Sequence, residues 1–183
     1  MSLVANETNC QPSALRVNFE GIPDRLKAHP HWVLWCYKWD ANRSEWTKVP
    51  KRPNRRNAAS NKPATWCSYA DAVEAYTDDW ADGIGVVLTA DDDLFALDFD
   101  ACDLEAAKPY LLDTYTERSP GGNGLRQFGL GKKPEGAGCK RQLPNIKQLE
   151  IYEHDRFMTV TGHTVWEHAD VEPCEDALAA LCA

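Results

Sequence analysis

Nowhere in this 183-residue chain does an apolar run approach the roughly 18 residues of a membrane-spanning helix, and no basic-then-apolar leader is read at its start. The seven cysteines are scattered and include no Cys-x-x-Cys pair. They resemble neither a zinc ribbon nor a disulfide framework, and they predict a reducing, cytoplasmic setting with no membrane partner. Positive charge is also short. With 28 acidic against 20 basic residues and a net charge of −8, the chain is not built to coat nucleic acid by bulk charge, which requires massed Lys and Arg. A phosphate loop ending in Gly-Lys-Ser/Thr and a dinucleotide fingerprint are both missing.

What is present is 43% hydrophobic and 26% charged, enough apolar material for one folded domain. The expected organisation is a flexible tail over 1–14, a single domain over 15–172, and a helical tail or the start of a linker over 173–183. Charge is unevenly placed. Lys48, Lys51, Arg52, Arg55, Arg56 and Lys62 crowd one short segment, whereas 78–105 is almost wholly acidic, which predicts a basic lobe beside an acidic centre.

Period and punctuation give the elements. A short helix is expected at 24–28, then an aromatic strand 32–39 returning through "DANRS" as 45–49, then a polar basic loop. Ser68 with Asp71 three residues on reads as a capping box opening a helix. "IGVVL" and "LFALDFD" flank the turn "TADDD" and read as a second hairpin. A helix is expected over 103–112 and a strand over 113–119. "PGGNG" is a tight turn into "LRQFGLG", and "IKQLEIYE" and "RFMTVTGHTV" close the pattern. About seven strands and four helices make an α+β fold.

The strand "LFALDFD" carries the sharpest chemical signal. Alternate residues share a face about 7 Å apart, so Asp98 and Asp100 project together while Leu97 and Phe99 enter the core. Burying unpaired carboxylates is costly, so such a strand is expected to face a cation or a solvated cleft. Mg²⁺ or Mn²⁺ fits, being a hard ion that takes carboxylate oxygens and keeps waters for phosphates. Glu150 in "KQLEIYE" offers a third acid for a two-metal site of the kind that clamps an in-line phosphoryl transfer. The turn containing Gly122, Asn123 and Gly124 can present backbone N–H groups to phosphate oxygens. Arg126 follows it with a planar fork of donors, and Arg156 and Thr161 add polar groups further on. Each has an ordinary alternative: an acidic turn, outward alternation, a plain hairpin turn, or a surface ion pair for Arg156.

In the order "IPDRLKAHPHWVLW", "KVPKRP", "NKPATW", "GIGVVL", "LFALDFDACD", "YTERSPGGNGLR" and "LEIYEHDRFMTVTGH", the chain resembles the primase-polymerase domain of phage and plasmid replication proteins, in the archaeo-eukaryotic primase superfamily. The resemblance covers roughly 19–165. It implies an α+β domain with an RRM-like antiparallel or mixed sheet at the catalytic centre and a smaller N-terminal α/β part. It further implies that Asp98, Asp100 and Glu150 hold two Mg²⁺ or Mn²⁺ ions for template-directed nucleotidyl transfer. Arg126 stands where the family carries a histidine beside the incoming nucleotide, and Arg126 and Arg156 are expected to neutralise the triphosphate. Lys48, Lys51, Arg52, Arg55 and Arg56 are expected to guide template or primer. The implied partners are single-stranded or primed DNA, nucleoside triphosphates and a replicative helicase, in the cytoplasm of a bacterial host cell. Two rivals stay open. Asp-x-Asp with Glu also suits a two-metal nuclease, and Arg126 in place of histidine suits a DNA-binding module of the same fold with weak chemistry.

Overall fold

The computed structural model describes residues 10–183; the first part of the tail expected over 1–14 lies outside them. Among the described residues there are nine strands and four α-helices. Helix α1 (Asp24–Lys27) precedes β1 (Trp32–Asp40) and β2 (Glu45–Lys51), which form the expected hairpin with Tyr37 opposite Lys48. Helix α2 (Tyr69–Thr77) opens on the expected capping box: Ser68 Oγ accepts from the Asp71 N–H at 3.2 Å, and the Asp71 carboxylate accepts from the Ser68 N–H at 3.2 Å.

Strands β3 (Gly83–Leu88) and β4 (Leu94–Asp100) follow, then α3 (Leu104–Ala107), β5 (Thr116–Arg118), β6 (Leu125–Leu130), β7 (Lys140–Leu143), β8 (Ile146–Tyr152), β9 (Arg156–Val160) and α4 (Glu175–Cys182). They build two sheets in which every pair of named strands is antiparallel, with orders β2-β1-β3-β9 and β5-β6-β4-β8-β7. The fold is α+β.

Two local expectations are corrected, and one strand is added. β3 and β4 are not a hairpin: β3 pairs with β1 and β9, β4 pairs with β6 and β8, and the turn between them is a crossing from one sheet to the other. The helix expected over 103–112 stops at Ala107 and becomes a 3-10 turn over Lys108–Tyr110, where Pro109 has no N–H to continue an α-helix. β7 went unread because its exposure alternates on a polar edge strand with no apolar period.

The packing explains how one strand face can be both core and cleft. On one side of β4, Phe95, Leu97 and Phe99 pack with Leu149, Ile151 and α4's Leu178. On the other side, Leu94 and Ala96 pack with Phe128 and with Ile84, Val86 and Met158 of the four-stranded sheet. Farther along that same face come Asp98 and Asp100. The face therefore leaves the inter-sheet core and emerges where the sheets part.

Candidate functional site

Where the sheets part there is a cleft of about 770 Å³, walled by Trp46, Lys48 and Pro50 of β2, by Ser60 and Asn61 of the basic loop, and by Asp98, Arg126, Glu150, Tyr152 and Arg156. Asp98, Arg126 and Glu150 belong to one row of residues across the five-stranded sheet, and they form the floor of the cleft. Strand register sets Glu117 opposite Arg126, Arg126 opposite Asp98, Asp98 opposite Glu150, and Glu150 opposite Lys140. Directly opposed side chains in such a ladder sit about 4.5–5.5 Å apart at Cβ, so the two acids of the centre are neighbours with a cation on each flank.

Arg126 is 6% exposed. Its Nε and Nη2 donate to the two oxygens of Asp98 at 3.2 and 3.4 Å, and Nη1 donates to the Thr159 carbonyl at 3.2 Å. Thr159 lies on β9, an edge strand of the four-stranded sheet. Arg126 thus satisfies an edge carbonyl while fixing the first motif acid. Its row neighbour Glu117, fully buried, ties down the chain just past β9, accepting from the Thr161 and Gly162 N–H groups at 2.8–3.0 Å and from Tyr115 Oη at 2.7 Å. Burial nevertheless pushes the Glu117 carboxyl up, against those hydrogen bonds.

Glu150 is held differently. Lys140 Nζ lies 2.8 Å from its Oε1, Gln148 Nε2 donates at 2.9 Å and Tyr152 Oη at 2.7 Å. Burial pushes its carboxyl up, but the hydrogen bonds from Lys140 and Tyr152 and the charges of Lys140 and Arg156 outweigh that and leave it below the ordinary glutamate value. Arg156 does not pair with Glu153 or Asp155; it stacks over the Tyr152 ring at 4.7 Å and donates to Tyr152 Oη at 3.0 Å. Tyr152, bridging Arg156 to Glu150, was not singled out from sequence, although it shares Glu150's face two residues on.

Asp100 is exposed beyond the cleft, opposite Gln148. Burial on one side, then the charges of Asp98 and Glu150, raise its carboxyl above the usual aspartate range. The three acids share a face without forming a tight cage; among the described residues only His29, His31 and Asp92 bring three ligand atoms within 4.8 Å of one another. An all-carboxylate donor set on one face fits a hard divalent ion. Asp98 accepts one bond on each oxygen from Arg126, which leaves a lone pair on each for such an ion.

Of the five cations expected to guide nucleic acid, Lys48 alone lines the cleft. Lys51 donates to Asn57 at 2.7 Å, Arg52 to the Ala64 carbonyl at 3.2 Å, and Arg55 stacks over Trp80 at 5.5 Å, while Arg56 is exposed. The Lys48 ammonium lies 5.8 Å from the Tyr37 ring. Burial and the charge of Arg126 push it below the ordinary lysine value, partly countered by Asp98 and Asp100.

Other placements depart from expectation. Thr161 is 2% exposed, its Oγ1 donates to the Arg118 carbonyl at 2.8 Å, and it does not line the cleft. Gly122, Asn123 and Gly124 do not line the cleft. A Cβ on Gly124 would come within 2.5 Å of the Phe99 carbonyl, so that glycine admits the neighbouring strand, whereas Gly122 takes φ +76° to close the turn. Arg126 lines the cleft with three of its five N–H donors spent on Asp98 and the Thr159 carbonyl, so it is tied to the fold as well as facing the cleft.

No family model matches the chain. In sequence it is 31% identical over 157 residues to the DNA primase-polymerase of Nitratiruptor phage NrS-1, an alignment covering 80% of this chain and 21% of that protein. The chain therefore corresponds to about a fifth of its relative's length. Over four fifths of its own length this chain is thus a homologue of a phage DNA primase-polymerase, in keeping with the prim-pol resemblance carried by its motifs.

Proposed function

We infer that this chain is a metal-dependent primase-polymerase domain of a phage or plasmid replication protein, catalysing template-directed transfer of nucleotides to a 3′-hydroxyl. The observation that carries this reading is Asp98 opposed to Glu150 on adjacent strands at the floor of a cleft whose walls hold Lys48 and Arg156. Asp98, Asp100 and Glu150 would hold Mg²⁺ or Mn²⁺, which when bound stabilises charge on the attacking hydroxyl and the departing pyrophosphate. Lys140 and Tyr152 keep Glu150 ionised and aimed. Lys48, whose pKa burial lowers, and Arg156, anchored on Tyr152, bind the triphosphate. Arg126 positions Asp98. Lys51, Arg52, Arg55 and Arg56 carry template backbone outside the cleft, where contact with phosphate needs charge and not shape. A helicase partner belongs to this proposal through the resemblance alone.

The deciding experiment is incorporation of labelled nucleotides on a primed single-stranded template with Mg²⁺ or Mn²⁺, comparing this chain with Asp98→Ala. Extension by the parent that vanishes in a folded variant supports the reading; equal extension by both sinks it. The competing reading is a DNA-binding module without turnover, favoured by the Arg126–Asp98 pair. It predicts salt-sensitive single-strand binding with no metal-dependent extension. A nuclease would cut without any triphosphate.

A further inference from the structure

We propose that His29, His31 and Asp92 form a second metal site, separate from the cleft, for a first-row transition ion such as Zn²⁺. None of the three lines the cleft, and the inference stands whether or not the chain transfers nucleotides. His29 and His31 flank Pro30 just before β1, and Asp92 lies in the crossing from β3 to β4. Their ligand atoms all fall within 4.8 Å of one another. His29 Nε2 is 3.3 Å and His31 Nδ1 3.6 Å from Asp92 Oδ2. Ligands about 2.0–2.2 Å from a tetrahedral Zn²⁺ stand about 3.4 Å apart, so both distances are edges of such a site.

A plain hydrogen-bonded cluster accounts for less. His29 Nε2 and His31 Nδ1 are buried and neither makes a hydrogen bond, despite the carboxylate close by. The cluster is also preorganised: Thr89 N–H and Oγ1 donate to Asp92 Oδ2 at 3.0 and 2.7 Å, and the His31 ring rests against Trp66 with centroids 4.7 Å apart. Such outer contacts fix ligand orientation. One feature opposes loading. His29 Nδ1 accepts from the His31 N–H at 3.3 Å, which in the neutral ring leaves the proton on Nε2; a metal on Nε2 moves that proton to Nδ1 and gives up this long bond.

Two imidazoles and one carboxylate are a borderline donor set that suits Zn²⁺ and its neighbours over Mg²⁺, with water as a fourth ligand. Because Asp92 sits where the chain passes between sheets, an ion there clips the segment before β1 to the inter-sheet crossing. The test uses a tag-free, chelator-treated chain titrated with Zn²⁺ by calorimetry and with Co²⁺ as an absorbing probe. One equivalent is expected to bind, unchanged in Asp98→Asn, with four-coordinate Co²⁺ bands free of thiolate charge transfer. His29→Ala and Asp92→Asn should each weaken binding at least about a hundredfold, beyond the range for losing an outer-shell partner. The Co²⁺ spectrum of the parent decides the matter even if a variant misfolds. No binding, binding unaffected by both substitutions, or a thiolate band from the free cysteines would each overturn the site.

Discussion

The charged row across the five-stranded sheet behaves as two different devices on either side of Asp98. Toward β5, Arg126 and Glu117 are buried and bond to backbone, Arg126 to the Thr159 carbonyl on the edge strand β9 and Glu117 to the amides of Thr161 and Gly162 just beyond it. Toward β7, Glu150 is fixed by Lys140, itself 65% exposed, and by Tyr152, and the surroundings are open. Similar residue types in one register thus do opposite work, because burial, not identity, decides whether a charge serves the fold or is left for a ligand.

That contrast can be broken from either side. The largest effect is expected at the centre: Asp98→Asn or Glu150→Gln should cut nucleotide incorporation roughly a thousandfold, the rate equivalent of several kcal/mol of lost charge stabilisation, while circular dichroism stays native. Arg126→Ala should lower unfolding stability by about 3–5 kcal/mol in denaturant titration, because it strands a partly buried carboxylate and an edge carbonyl. Lys140→Ala, across the row, should cost less than about 1 kcal/mol, as an exposed pair does. Equal losses for these two would erase the distinction. Arg126→Lys should not rescue stability, since a single ammonium cannot reproduce the forked contact. Lys48→Ala should raise the KM for triphosphate about tenfold with stability nearly unchanged, matching one lost charged hydrogen bond.

The smallest effect is a difference of sign with pH. Glu150 titrates below its ordinary value of 4.5, so its contribution to stability is present above that value and is lost as pH falls through the lower folded one. Asp100 titrates above its ordinary 3.8: the folded state holds that proton more tightly, and stability falls as pH rises through the window between the two. Asp100→Asn should therefore slightly raise the midpoint at neutral pH without divalent ions, whereas Glu150→Gln should lower it. Thermal melts at pH 3 to 7 would separate them, and shifts of one sign for both would contradict the geometry.

Period-2 alternation was enough to put Asp98 and Asp100 on one face and Leu97 and Phe99 on the other, because that property is local to one strand. Likewise the Ser68–Asp71 cap was legible, being a contact three residues long. The opposition of Asp98 to Glu150 was not legible, since register depends on how distant strands meet. β3 was misread as a hairpin partner for the same reason: its continuous apolar run is compatible with any neighbours, and β1 and β9 took both sides. The bond from Arg126 to the Thr159 carbonyl was not legible either, because nothing near Arg126 in sequence announces that partner. Glu117 and Lys140 were passed over as unremarkable charges, one in a short strand and one in a glycine-containing loop.

The link from β8 to β9 has a consequence for what the cleft can accept. Tyr152 ends one wall and Arg156 begins the other, with only Glu153, His154 and Asp155 between them. Four peptide steps reach at most about 14 Å when fully stretched. At that end the aperture has a ceiling set by contour length, whatever contacts form or break inside; any wider substrate must be admitted from the side of β2.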